Sequence, residues 1–497
     1  MLGIFSHVQR SGRQTSKSEV PKIEKRRVVV SISGLKVRSV SCLLVFLACA
    51  TSLGACGGVV ADDSPVLSQG AHPRLPLPEH SLLPTLHIAP AVGWRRSAKP
   101  VATAGGTEVI AFAQALDHPR WLYVLPNGDV LVAESQAPAK PDDAQGIRGW
   151  VQGWFMKRAG SGARPSANRI TLLRDADGDG VADQRSTFLS GLNSPVGMAL
   201  VGNRLYVAAT DSLLWFSYTA GMAAITSAGV VLTTLPGGAI NHHWTKTLLA
   251  SRDGAKLYVG VGSNSNVAER GMEVEAERAA IWEVDARTGT HRIYASGLRN
   301  PVGLAWEADT GQLWVAVNER DELGNDLVPD YITAVREGGF YGWPYSYYGQ
   351  LIDTRVQPQN PALVATATAP DYALGAHTAS LGLTSSAGTH LPSLFAHGMF
   401  VGQHGSWNRR PLSGYKVIFV PFTNGVPSGD PLDVLTGFLN ASGDAQGRPV
   451  GLAIDRAGDL LVADDVGNMV WRVRSVVEKR RNDRRLAHRP DGWRGDH

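Results

Sequence analysis

One pattern of apolar and polar positions recurs along the chain. A Pro or His opens a short apolar strand, a polar turn follows, and a second strand ends in small or acidic residues. The unit runs from Pro119 to Glu134 across Pro126-Asn127-Gly128-Asp129, from Pro195 to Ala209 across Gly202-Asn203, and from His243 to Gly262 across Asp253-Gly254. It returns from Pro301 to Asn318 across Thr310-Gly311, over Phe395 to Gln403, and from Pro449 to Asp464 across Ala457-Gly458-Asp459. The strands alternate and are rich in β-branched, aliphatic and aromatic residues, as in Lys256-Leu257-Tyr258-Val259-Gly260 and Gln312-Leu313-Trp314-Val315-Ala316. The body has no comparable amphipathic helical run.

Six such units predict an all-β fold, a six-bladed β-propeller. A four-stranded blade cannot bury both faces alone, so blades must pack face to face around an axis. The inner strands then deliver side chains and backbone groups to one end of a central channel. A sandwich or β-helix fits the long spacing and paired strands less well.

Composition narrows the choices. Of 497 residues, 43% are hydrophobic and 19% charged, which excludes a disordered polyelectrolyte; the 55 glycines suit a turn-rich β protein. The formal charge of +4 comes from the ends. Residues 1–38 carry nine Lys/Arg against two acids, and residues 478–497 carry seven against four, so the body between is net acidic. A basic nucleic-acid groove is therefore not expected.

The ends read as targeting and linker segments. Residues 39–55 are uncharged, include Leu43-Leu44-Val45-Phe46-Leu47, and follow Lys36 and Arg38, as in a signal peptide. The run closes on Leu53-Gly54-Ala55-Cys56, which resembles a bacterial lipobox with Cys56 as the lipidated residue. This predicts export and a stable membrane anchor facing the periplasm or cell exterior. Residues 1–55 form the expected leader, 56–105 a flexible Pro-rich tether, 106–477 the propeller, and 478–497 a basic disordered tail. The only cysteines are Cys42, Cys49 and Cys56, so the body has neither a disulfide framework nor a haem attachment motif.

One metal site can be read directly. Asp175, Asp177, Asp179 and Asp183 stand at positions 1, 3, 5 and 9 of a loop with Gly180 at position 6, the clustered oxygens that calcium prefers. Position 12 is Ser186, so this is not a complete helix-loop-helix site.

The remaining motifs carry a resemblance. Asn241-His242-His243-Trp244, Gly297-Leu298-Arg299-Asn300-Pro301-Val302-Gly303 and Gly338-Gly339-Phe340-Tyr341-Gly342-Trp343-Pro344 occur in that order. Phe400-Val401-Gly402-Gln403-His404-Gly405-Ser406-Trp407-Asn408-Arg409, Gly414-Tyr415-Lys416, Gly447-Arg448-Pro449 and Ala463-Asp464-Asp465 follow. Across residues 110–475 the chain resembles the soluble quinoprotein sugar dehydrogenases, nearest the sorbosone dehydrogenase type. The resemblance implies a propeller that binds pyrroloquinoline quinone and calcium and oxidises a sugar. It implies His243 as general base, placed ten residues before Asp253, with His242 as competitor because strand neighbours face opposite sides. Arg299 and Asn300 would contact the quinone, Arg299 also stabilising charge on its oxygens, and Lys416 and Arg448 would pair with its carboxylates. A cofactor calcium would sit at the loop containing Arg320 and Asp321, although the Gly-Pro pair of the glucose enzymes is missing there.

Two features stay open at this stage. Arg120 and Glu134 either line a pocket or form an ordinary salt bridge. Tyr341, Trp343, Tyr345, Tyr347 and Tyr348 either stack on a sugar or pack the core. Beside sugar oxidation with an external electron acceptor stand two alternatives, a propeller lactonase with a catalytic metal and a non-enzymatic calcium-stabilised binding propeller.

Overall fold

The computed structural model of the chain describes residues 68–79, 85, 87–95, 97–138, 158, 160 and 165–476, all within a unit that spans Pro65–His497. The leader, Cys56 and the basic tail lie outside the described residues.

Six antiparallel sheets follow one another in chain order. Blade one takes the strands Pro119–Val124, Val130–Glu134, Arg169–Arg174 and Gln184–Leu189; blade two begins at Gly197–Val201, blade three at Lys246–Ala250 and blade four at Pro301–Trp306. Blade five begins at Ser380–Ser385 and blade six at Pro449–Ile454. The fourth strand of blade six is Thr107–Ala113, from the other end of the domain, paired with Met469–Ser475. This pairing closes the ring next to blade one. The six inner strands contact one another in cyclic order, blade six returning to blade one. The fold is thus the expected six-bladed propeller.

Side-chain alternation builds the core. In blade one, Leu131 and Ala133 face blade two, where they meet Met198, Leu205 and Val207. Their neighbours Val130 and Val132 face the other way and meet Leu461, Ala463 and Val470 of blade six. Comparable apolar layers fill the remaining four interfaces. The second strands of the blades, such as Val130–Glu134 and Leu313–Val317, therefore bury both faces, which explains their near-continuous apolar character.

Near the axis the blades converge until backbone meets backbone. A Cβ on Gly382 would stand 1.9 Å from the carbonyl oxygen of Val450, and one on Gly303 2.6 Å from the backbone nitrogen of Leu383. On Gly197 it would stand 2.5 Å from the nitrogen of Leu248. The repeated Pro-Val-Gly and Leu-Gly-Leu inner strands thus place glycine where a side chain has no room.

Two expectations need correction. The fifth unit was placed at Phe395 to Gln403, but Gly398–Gln403 is the second strand of blade five, and its inner strand is Ser380–Ser385. The segment expected as a free tether up to residue 105 is laid on the propeller in its described part. Gln69–Gly70 pairs with Tyr372–Ala376 of blade four, and Val101–Ala102 pairs with Leu432–Thr436 of blade five. Between them Trp94 packs edge-on against Phe438 and Trp471 and donates its indole N–H to Asp464 at 2.6 Å. Backbone pairing and a half-buried indole hold this stretch despite its proline content.

Candidate active site at the channel mouth

The register gathers two stretches of every blade on one face: the residues entering the inner strand and those leaving the second strand. Lys246 pairs with Val261, Pro301 with Val317, Ser380 with Gln403, Pro449 with Asp464 and Pro119 with Glu134. His243, Arg299, Arg120, His377, His404, Arg448 and Asp465 all stand at such strand ends, around the axial mouth.

His243 leads into the inner strand of blade three. Its Nδ1 lies 2.8 Å from the carbonyl oxygen of Ser263 and 3.1 Å from the Ser263 hydroxyl. A carbonyl only accepts, so Nδ1 carries the hydrogen and Nε2 keeps the lone pair. Burial, followed by the nearby charge of Arg299, lowers the pKa of the ring well below its usual value and keeps it neutral. A neutral imidazole with a fixed tautomer is what a general base requires. The ring of His242 is exposed and stands edge-on to His243 at 5.1 Å. Asp253, the spacing mark for His243, sits in the hairpin turn at the far end of the strand, where it binds Ser251 and Ala255. It does not orient the imidazole; Ser263 does.

Asn300 is the neighbour of His243 across Gly262, where a Cβ would meet Asn300 Oδ1 at 2.4 Å and His243 Cβ at 2.5 Å. The side-chain oxygen Oδ1 of Asn300 is buried and has no hydrogen-bond partner. Arg299 is 2% exposed, and its guanidinium donates to the carbonyls of Asn266, Asn318 and Glu319 and to Asn266 Oδ1. Asp321 is its counter-ion at 3.3 Å and also faces His377 and accepts from Asn408. Trp343 donates to the Asn266 carbonyl and so supports the same loop.

This arrangement bears on the cofactor calcium expected at Arg320 and Asp321. Arg299 already occupies the carbonyls of Asn318 and Glu319 that a metal there would need. The Arg320 side chain is fully buried and tied to Glu319, Asp353 and the carbonyls of Pro344 and Ser346. The loop as arranged therefore does not fit a cation, because a guanidinium fills that role.

Lys416 is not at the mouth. It opens the third strand of blade five, one strand further out, and its ammonium meets Asp433 at 2.7 Å. Arg448 is at the mouth, but its guanidinium lies over the Tyr415 ring and donates to the Tyr415 hydroxyl and to the carbonyl of Ala89. Arg120 and Glu134 do not pair with each other. Glu134 binds Arg169 and Thr171, and Arg120 binds Asp465. Of the aromatic run, Tyr341, Trp343 and Tyr347 are buried packing residues.

The Asp-rich loop lies on the opposite face, in the turn between the third and fourth strands of blade one. Asp175, Asp177 and Asp183 bring carboxylate oxygens within 4.8 Å of one another. Asp179 is outside this group; like the other three it accepts from a loop amide, that of Val181. Arg472 of blade six reaches Asp175 at 3.1 Å and ties the loop to the closing blade.

Sequence reasoning missed His118, His377 and Ser263 as mouth residues and treated His404 and Asp465 only as parts of a motif. All stand at ends of inner or second strands, so position within the repeat was the available signal.

Comparison with known proteins agrees with this fold. A protein of Borreliella burgdorferi described as uncharacterized is 26% identical over 303 residues, covering 58% of this chain and 77% of that protein. The pyrroloquinoline quinone-dependent pyranose dehydrogenase of Coprinopsis cinerea is 26% identical over 280 residues, and the match spans 46% of this chain and about a third (36%) of that enzyme. The solved quinone domain of the Coprinopsis cinerea pyranose dehydrogenase superposes with a TM-score of 0.60 at 20% identity, covering 78% of this chain and all of that domain. The family pattern described as TrAA12-like matches residues 166–333 and 352–476. With more than half its length inside that match, the chain belongs to the TrAA12-like family, a family of soluble pyrroloquinoline quinone-dependent sugar dehydrogenases.

Proposed function

We propose that this propeller oxidises an aldose or related sugar at the channel mouth, with pyrroloquinoline quinone as bound cofactor and a separate molecule as final electron acceptor. The observation that carries the reading is the fixed tautomer of His243, which leaves Nε2 with its lone pair on a residue that neighbours Asn300 and feels the charge of Arg299. The residues present suit a flat anionic cofactor. Asn300 Oδ1 is a buried, unpartnered acceptor that suits an N–H of the cofactor, and Arg299 supplies positive charge for its anionic groups.

When bound, the quinone supplies the acceptor for the hydride leaving the sugar carbon. His243 Nε2 takes the hydroxyl proton as the carbon–oxygen double bond forms, and Ser263 holds the ring in place through Nδ1–H. Arg299 holds the mouth loop through Asn266 and the carbonyls of residues 318 and 319, and its charge favours anions nearby. Trp244, beside His243, offers an aromatic face for a sugar or a flat ring.

Calcium in the loop of Asp175, Asp177 and Asp183 belongs to the same reading, as a structural ion rather than a catalytic one. Export and membrane anchoring through Cys56 rest on the lipobox sequence. The direct test is to add pyrroloquinoline quinone to purified apoprotein and follow dye reduction across a panel of sugars. Saturable binding with sugar-dependent reduction is expected. Protein that neither binds the quinone nor reduces dye would overturn the reading.

A further inference from the structure

The mouth holds a second polar cluster that the proposed chemistry does not use. Its centre is Asp465, which leaves the second strand of blade six and is 1% exposed. His404, at the end of the second strand of blade five, lies 2.9 Å from it through Nε2. His118, just before the inner strand of blade one, lies at 3.4 Å, and Arg120 donates through Nη1 at 2.5 Å. One carboxylate thus gathers donors from blades one and five.

Arg120 is the member that reaches across the opening. Its guanidinium carbon stands 5.8 Å from the ring of Trp244, which belongs to blade three and adjoins His243. Asp465 engages only Nη1. Nε is buried and has no acceptor. A buried guanidinium N–H without an acceptor is costly, and the Nε edge of the fork matches the two oxygens of a carboxylate. Arg299 is engaged by the loop carbonyls and Asp321; Arg448 also has a buried Nε without an acceptor, but its guanidinium lies over the Tyr415 ring and its Nη2 is tied to Ala89 and Tyr415, whereas Arg120 is the one that reaches Trp244 beside His243.

We propose that Arg120, set in place by Asp465, anchors a carboxylate of the ligand bound at the mouth. The inference rests on the sugar-oxidising reading above. The carboxylate belongs either to the quinone or to an acidic sugar, and the chemistry of recognition is the same. Arg120 is the contacting residue, and Asp465 is a positioning residue acting through it.

The test uses the full mature protein with Arg120→Gln, Arg120→Lys, Asp465→Asn and the Arg120→Gln/Asp465→Asn double variant. Quinone binding to each apoprotein is titrated by quenching of tryptophan fluorescence. KM is then measured for glucose and for glucuronate. If the carboxylate is the quinone's, Arg120→Gln weakens quinone binding at least tenfold, Arg120→Lys recovers part of the loss, and the double variant is no worse than Arg120→Gln. If it is the sugar's, quinone binding holds while KM for glucuronate rises at least tenfold and KM for glucose does not. Wild-type protein that binds the quinone while Arg120→Gln changes neither quantity twofold would overturn the proposal and leave the sugar-oxidising reading standing. Wild-type protein that binds no quinone would overturn both. Should Asp465→Asn fail to fold, the two Arg120 variants decide the matter.

Discussion

The same cluster makes acid sensitivity a measurable property of the fold. Burial is the largest influence on the His404 ring and pushes its pKa to about 4; Asp465 pulls it upward, while Arg448 and Arg120 push it further down. In the unfolded chain a histidine titrates near 6.5. The folded pKa is therefore depressed, so as pH falls from 7 to 5 the unfolded chain takes up a proton that the folded protein refuses. Stability must fall over that window, by about 2 kcal/mol from this group alone. For a fold of this size, that corresponds to roughly 2–3 °C in Tm. His404→Gln keeps an N–H donor for Asp465 and removes the titration. Thermal unfolding of wild type and variant at pH 7 and pH 5 isolates the effect, since the other histidines contribute equally to both. The wild type is expected to lose about 2–3 °C more than the variant. Parallel curves, or a wild type that gains relative to the variant at pH 5, would refute the reasoning. The gain would mean that an imidazolium pairs with Asp465 in the folded state.

Two further predictions test the packing and the metal. Gly382→Ala places a methyl 1.9 Å from the Val450 carbonyl and should cost ~3 kcal/mol or more, lowering Tm or solubility, while Gly105→Ala, with nothing within 4 Å, should leave both unchanged. Calcium should raise Tm and a chelator lower it, and Asp177→Asn should abolish the difference; an unchanged Tm would argue against the Asp175–Asp183 site.

Much of the fold was legible because the propeller writes its geometry into the chain. Pro-Val-Gly recurs at residues 195, 301 and 449 because each inner strand must start at the mouth and pass a neighbouring backbone closely. Blade five broke the reading because Ser380-Leu381-Gly382-Leu383 keeps the glycine and drops the Pro-Val that marked the others. The closing strand Thr107–Ala113 carries no local sign of its partner, which lies more than 350 residues later. The Pro-rich stretch before it was misread because two-residue strands have no periodicity to detect. At the candidate site, motif order named His243, Arg299 and Asn300, which the structure brings together at the mouth. It attributed the placement of His243 to Asp253, which a whole strand separates from the mouth, and it placed Lys416 at the mouth although that residue lies one strand further from the axis. The grouping of His118, Arg120, His404 and Asp465 was hidden because three blades contribute to it.

The account stands most directly on His243 as the proton acceptor. The decisive measurement is turnover and quinone affinity of His243→Ala and His242→Ala, side by side with wild type. Loss of about 10²–10⁴-fold in kcat for His243→Ala, with quinone Kd within threefold of wild type and His242→Ala near normal, is the predicted result. Turnover that survives His243→Ala, or that vanishes only in His242→Ala, would contradict it.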